Sequence, residues 1–364
     1  MSAALAADDA PPRVQALQRG FAQALARQPG QMRESAYEFA GRPVALRVVG
    51  VRLAERIQRP FAHLRRPDAT ADPRALRIDL WDEAETGVPF PSGGTAHQLE
   101  QQWVACDGML RASSDGRYVS FQYQDSITLL DRHGQRMIGC RRSGSHLSRG
   151  ECSKPFVVML TVWYSDQGVQ VLHAGLIARG GAGVLIPGES GTGKSTTSLA
   201  AIAHGLEFLG DDFVGLEPAG DGSFRGHSLF GTACLTRTGL DRFSDVQRHA
   251  VEDRFPEEEK PILFVAEIYP ERLRASVPIH AVALLRIGAE STMIRPAGRG
   301  EALRQFAAST LHTVVPRPGR AALEMMAGLV ERVPAAWLHL GPDPAEVPGS
   351  IERLLADCAR PGSA

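Results

Sequence analysis

Residues 188 to 195 read Gly-Glu-Ser-Gly-Thr-Gly-Lys-Ser, followed by Thr196. The spacing matches G-x-x-x-x-G-K-[ST], a Gly-rich turn whose backbone N–H groups can cradle phosphate oxygens while the lysine neutralises them and the terminal hydroxyl binds Mg²⁺. Such a turn works between a buried strand and a helix, where unpaired N–H groups and aligned peptide dipoles favour an anion. The flanks supply both elements. Gly183-Val184-Leu185-Ile186 is a short apolar run suited to a buried strand, and Ser195 to Ala203 reads as a helix with Leu199, Ala200 and Ile202 as packing positions. Gly188, Glu189, Ser190, Gly191, Thr192, Gly193, Lys194, Ser195 and Thr196 are therefore the expected contacts of a nucleotide's phosphates.

A chain of 364 residues with 43% hydrophobic content can bury the core of two domains or one large one. Its formal charge of -1 leaves no basic excess for wrapping a nucleic acid backbone, so nucleic acid is not an expected partner. Cys106, Cys140, Cys152, Cys234 and Cys358 are odd in number and lack metal-ligand spacing, which fits a reducing cytoplasm. Near the start, Asp8, Asp9, Pro11 and Pro12 interrupt any signal-like apolar stretch, and no run of eighteen apolar residues follows. Cytoplasmic localisation without membrane association is the expectation.

The pattern changes near residue 154. Before it, Val14, Leu17, Phe21, Ala22 and Leu25 predict a helix ended by Pro29-Gly30. Tyr37 to Phe39, Val44 to Val49, Leu76 to Trp81, Tyr118 to Tyr123, Ser126 to Leu130 and Gln135 to Ile138 predict short strands, with antiparallel pairing the cheaper topology. Asp82 to Gly94 and Ser143 to Gly150 read as surface loops. Beyond Lys154, Pro155 to Trp163 reads as a helix, Val169 to His173 as a strand, Ile262 to Ile268 and Ala281 to Ile287 as strands, and Leu303 to Leu311 and Ala321 to Val330 as helices. A strand at Ala336 to Leu340 and a helix at Ser350 to Cys358 end the series. Two domains are expected, a mixed or antiparallel β-rich module over 1–153 as the substrate-recognition part and an α/β nucleotide core over 154–364.

A second element follows the Gly-rich turn. Glu207 to Gly210 leads into Asp211-Asp212, placing adjacent carboxylates at the end of a strand, where open α/β sheets form ligand crevices. Phosphoryl transfer to a hydroxyl uses one carboxylate to orient or deprotonate the acceptor, while another can hold Mg²⁺ directly or through water. The plain alternative is a strand-ending turn. Lys260 could stabilise transferring phosphoryl charge from its loop, or simply belong to the solvated run Glu257-Glu258-Glu259-Lys260.

With His173 on a strand, Gly188 to Ser195, and Asp211-Asp212 in that order, the C-terminal half resembles the bacterial HPr serine kinase/phosphorylase-related P-loop kinases. The resemblance implies an HPr kinase-like α/β P-loop core that uses ATP and Mg²⁺. It implies phosphate binding by Gly191, Gly193, Lys194 and Ser195, metal contact by Ser195, Asp211 and Asp212, and Asp211 as leading catalytic base supported by Asp212. It places His173, fifteen residues before Gly188, near the catalytic phosphates, where a purely structural histidine is the alternative. Homo-oligomerisation is a further family expectation. The family's distal glycine-rich signature finds only a weak counterpart in Arg225 to Thr236, with His227 and Gly231, so the resemblance leaves reverse dephosphorylation open. Tyr37 to Gly50 and Pro60-Phe61-Ala62-His63-Leu64 resemble specialised relatives among bacterial biosynthetic proteins.

The expected function is an ATP-dependent transfer to a serine or other hydroxyl of a peptide, protein or small metabolite. A nucleotide-gated binding or assembly protein with weak ATPase activity is the alternative from another class. An ATPase or GTPase that uses water as acceptor is a second enzymatic alternative.

Overall fold

The computed structural model describes residues 10–67, 72–91, 101–105, 107–251, 260–310 and 320–358. Asp8, Asp9, Cys106, the Glu257–Glu259 run and Leu311 lie outside the described residues. The chain divides into two units. The first takes Met1–Arg59, Leu64–Cys152 and Phe156–Trp163, and the second takes Pro60–His63, Ser153–Pro155 and Tyr164–Ala364. Two short stretches of early sequence thus belong to the later unit.

The first unit is built on one eight-stranded sheet. Its strands are β1 (Met32–Phe39), β2 (Arg42–Val49), β3 (Leu76–Asp82), β4 (Gln101–Ala105), β5 (Gly108–Ala112), β6 (Tyr118–Tyr123), β7 (Ser126–Asp131) and β8 (Arg136–Arg141). They lie in the order β1-β2-β3-β8-β7-β6-β5-β4. The expected antiparallel pairing holds for most neighbours, but β2 with β3 and β3 with β8 are parallel, so the sheet is mixed. The helix Val51–Gln58 separates β2 from β3, and such a crossover is what a parallel pair requires.

The helix Pro12–Arg27 covers this sheet. Val14, Leu17, Phe21 and Ala24 recur at helical spacing and join Val49, Trp81, Ile127, Leu129, Ile138 and Cys140 in one core. Gly20 lets the helix approach closely, since a Cβ there would sit 2.7 Å from the Trp81 ring. The segment expected as a surface loop from Asp82 is instead anchored. Asp82 is buried and accepts from the backbone N–H of Gly144 at 2.6 Å and of Glu85 at 3.1 Å, so it caps the short helix Glu83–Thr86 and pins both stretches.

The second unit is a mixed α/β layer structure. Its strands are β9 (Gln170–Arg179), β10 (Ala182–Pro187), β11 (Glu207–Gly210), β12 (Phe213–Pro218), β13 (Phe224–Ser228), β14 (Thr232–Cys234), β15 (Ile262–Phe264), β16 (Ser276–Ile287), β17 (Met293–Pro296) and β18 (Ala335–Leu340). The main sheet runs β10-β9-β12-β13-β16-β18-β17, with β11 also on β9 and β10 also on β16. Among the described strands of this sheet the parallel pairings are β10 with β16 and β16 with β18. On one side of this sheet Phe306, Met326, Leu329 and Val330 pack from the helices Arg299–Thr310 and Arg320–Arg332. On the other, Ala200 and Ala201 of the helix Lys194–Ala203 and Ile351 and Leu354 of the helix Glu346–Cys358 do so.

The run expected as a single strand over Ile262 to Ile268 divides. Ile262–Phe264 pairs with β14, and Val265–Ile268 turns into a short helix whose Val265 N–H bonds back to Gly231 O at 2.9 Å. An apolar run of this length does not distinguish strand from buried helix by periodicity. Among the described residues no helix is long and apolar enough to cross a membrane.

Candidate functional site

Strand β10 ends at Pro187, and the helix Lys194–Ala203 begins after the Gly-rich turn. Gly191 and Gly193 hold φ of 89° and 97°, values that a side-chain-bearing residue adopts only under strain. Lys194 is buried and its Nζ donates to the carbonyl oxygens of Gly188 at 2.5 Å and Glu189 at 2.9 Å. Burial pushes the Lys194 ammonium down from its ordinary value, while Asp212 and Asp211 push it back up, so both carboxylates lie within electrostatic reach of the turn. Lys260 reaches the same turn, its Nζ 3.3 Å from the Ser190 hydroxyl.

The aspartate pair follows β11. Register places His173 of β9 opposite Phe213 of β12, which brings Asp212, one residue earlier, beside the imidazole. His173 Nε2 stands 2.5 Å from Asp212 Oδ1, and Lys154 Nζ donates to the other carboxylate oxygen. The Phe213 ring lies against both partners, 5.4 Å from the His173 ring centroid and 5.4 Å from Lys154 Nζ. His173 Nδ1 faces the carbonyl oxygen of Ser309 at 3.2 Å.

The two carboxylates have opposite environments. Burial opposes the charge on Asp212, but Lys154 and His173 outweigh it and hold the carboxyl well below the ordinary range. Lys154 is raised correspondingly, with Asp212 overcoming the cost of burial. Asp211, by contrast, is pushed up by burial and by Asp212, against the lowering influence of Lys154, the Cys234 N–H and the Ser195 hydroxyl. Its Oδ2 accepts from Cys234 N–H at 2.9 Å, whereas its Oδ1 is buried without a hydrogen-bond partner. Such an orphan oxygen in the interior is costly and marks a place for a ligand or a proton.

The structure therefore gathers the sequence-predicted residues Lys194, Ser195, Asp211, Asp212 and His173 into one neighbourhood of the second unit and adds Lys260 at its rim. Lys154 was not anticipated as a site residue. It stands 58 positions before Asp212, and a lysine beside a proline at the edge of an apolar segment carries no motif. Its backbone is held in place by Ser153, whose carbonyl accepts from the Thr232 hydroxyl at 2.8 Å.

The residues suit Mg²⁺. A serine hydroxyl and paired carboxylates are hard oxygen donors of the kind this ion takes. Among the described residues no group of three or more His, Cys, Asp or Glu side chains is arranged to hold a metal ion.

In sequence, the chain is 49% identical over 45 residues to the HPr kinase/phosphorylase of Malacoplasma penetrans (strain HF-2). Over those residues the chain is similar to an HPr kinase/phosphorylase. The matched stretch is 12% of this chain and 15% of that relative, so the kinship is local. No family model matches the chain. Among solved structures, the HPr(Ser) kinase/phosphatase from Coxiella burnetii aligns with 52% of this chain and 95% of its own length, at 16% identity and a TM-score of 0.30.

Proposed function

We propose that this HPr kinase/phosphorylase relative is an ATP-dependent phosphotransferase acting on a serine or other hydroxyl of a peptide, protein or small metabolite. The observation that carries the reading is the division of labour in the aspartate pair beside the Gly-rich turn. Asp212 has both oxygens engaged, one by Lys154 and one by His173, whereas Asp211 keeps one buried oxygen open and has its carboxyl raised toward a more basic value. Two neighbouring acids driven apart by their surroundings is the pattern expected of an acid/base site.

In this mechanism the N–H groups of Gly188 to Gly193 and the Lys194 ammonium hold the nucleotide phosphates, and Lys194 exchanges its two loop carbonyls for phosphate oxygens. Ser195 with a carboxylate of the pair would hold Mg²⁺, which when bound neutralises charge on the β- and γ-phosphates. Asp211 Oδ1 accepts the hydrogen bond of the acceptor O–H and takes its proton as the oxygen bonds to the γ-phosphorus and the bond to the β-phosphate oxygen breaks. Asp212, Lys154 and His173 keep a fixed polar wall beside that position. Lys260, at the rim, is placed to approach the phosphates from its loop. The first unit would then recognise the acceptor, following the expected division at residues 1–153 and 154–364.

The test is transfer of labelled γ-phosphate to purified hydroxyl-bearing candidates, with Lys194→Ala as control. A phosphorylated product whose formation falls with Lys194→Ala supports the kinase. ATP consumption at one rate with and without every acceptor favours hydrolysis, and tight ATP binding without turnover favours a nucleotide-gated binding protein.

A further inference from the structure

The Gly-rich turn accounts for phosphates and leaves the base of a nucleotide without a seat. Beside it stands an apolar side chain that packing does not explain. Ile287, the last residue of β16, is 62% exposed, and scattered exposure of this kind usually needs no account unless the residue adjoins a site. Ile287 adjoins one. A Cβ placed on Gly193 would meet Leu340 Cδ1 at 3.0 Å and Ile287 Cδ1 at 3.6 Å, so both side chains converge on the residue that starts the Lys194 helix.

The pair is built by the sheet. Ile287 and Leu340 are register partners at the C-terminal ends of the parallel strands β16 and β18, which places both side chains on one face next to the turn after β10. The loop beyond β16 is tied back over this edge, with the N–H groups of Gly288 and Ala289 reaching the Leu340 carbonyl at 3.3 and 3.1 Å. Gly341 donates to the Thr292 hydroxyl at 3.1 Å, closing the rim from the other strand. Apart from its two chain neighbours, no residue comes within 4 Å of a Cβ placed on Gly288, so the loop backbone is uncovered there. The aspartate pair follows β11, which pairs with β9 on the opposite flank of β10, so chemistry and this apolar edge lie on different sides of the turn.

We infer that Ile287 and Leu340 form the apolar floor on which the base of the bound nucleoside triphosphate lies. A flat heteroaromatic ring loses water from one face against such a floor, and the exposed loop backbone around Gly288 leaves room for its polar edge. The inference rests on the phosphate-site reading above. It assigns nucleotide affinity to two separable parts, charge at Lys194 and apolar contact at Ile287.

Calorimetric titration of the full chain with Mg·ATP and with Mg·tripolyphosphate separates them. Ile287→Ala should weaken ATP about 10-fold, as loss of one partly buried aliphatic contact does, and leave tripolyphosphate within about twofold. Ile287→Leu, which keeps the apolar face, should hold ATP within about threefold of wild type. Unchanged ATP affinity in Ile287→Ala, or equal losses for ATP and tripolyphosphate, overturns the assignment. So does a change in sedimentation without a change in ATP binding, which would give the face to a second copy of the chain. If wild type binds neither probe, the phosphate site itself fails, and that result is distinct from all of these.

Discussion

His63 Nε2 lies 2.7 Å from the Ser228 hydroxyl oxygen, although 165 positions separate the two in the chain. The stretch Pro60–His63 belongs to the second unit and is held there by more than this bond. Gly231 N–H donates to the Pro60 carbonyl at 2.8 Å, and the Phe61 and Phe230 rings stand 5.6 Å apart. Gly231 leaves space for the imidazole, since a Cβ there would lie 2.8 Å from His63 Nδ1.

The packing around this half-buried imidazole gives the protein an acid sensitivity. The His63 imidazole is pushed down to about 4 from 6.5, because the interior disfavours its charged form. Between those values the unfolded chain binds more protons than the folded one, so the contribution is fully present above about pH 6.5 and is lost as pH falls toward 4. The full difference corresponds to about 3 kcal/mol. Urea unfolding across this window should show stability falling more steeply for wild type than for His63→Gln; equal slopes would remove His63 as the cause.

Asp79 is wholly buried at the centre of the first unit's sheet and bonds Arg47 Nε at 2.7 Å and Arg136 at 2.7 Å. Asp79→Ala leaves two half-buried guanidinium groups facing each other without their shared anion, and should cost about 2 kcal/mol. Thermal unfolding of the variant checks this. A melting point equal to wild type would mean that solvent compensates both arginines.

Asp211→Asn keeps the shape of the side chain while removing its charge and basicity. Single-turnover transfer at saturating ATP and acceptor should fall by about 10²- to 10⁴-fold, with the lower end favoured because phosphoryl transfer develops little nucleophile deprotonation. Nucleotide affinity should change far less than turnover. Wild-type transfer by a folded variant would move the base role to Asp212 or His173.

Lys154→Met removes one of the two side-chain partners of Asp212 and leaves its half-buried carboxylate with His173 alone. Turnover should drop at least about 10-fold, since displacing a group that orients reacting atoms carries that scale of penalty. Lys154→Arg, which retains the charge, should recover part of it. Should Met and Arg variants be equally impaired at wild-type ATP affinity, length rather than charge is what position 154 supplies.

Much of the site was legible because its pieces are local. Eight consecutive residues with Gly, Lys and Ser at fixed offsets dictate a turn between strand and helix, and β10 and the helix Lys194–Ala203 form where the flanking apolar patterns place them. The adjacent aspartates likewise declare themselves as a pair at a strand end. The helix Pro12–Arg27 and most strands of the first unit follow from periodicity, because each buries one face.

Tertiary structure decided everything that depends on which distant segments meet. The parallel pairing of β2, β3 and β8 leaves the same alternation in sequence as antiparallel pairing, so only the crossover helix and the final register reveal it. Lys154 and His63 look like ordinary polar residues until folding brings them to Asp212 and Ser228 across long stretches of chain. Two identical side chains at 211 and 212 carry identical chemistry in isolation. Their separation into one carboxyl held low by Lys154 and His173 and one raised by burial arises from the direction each side chain takes as the turn after β11 bends, a choice set by packing against β9 and β14 rather than by local preference.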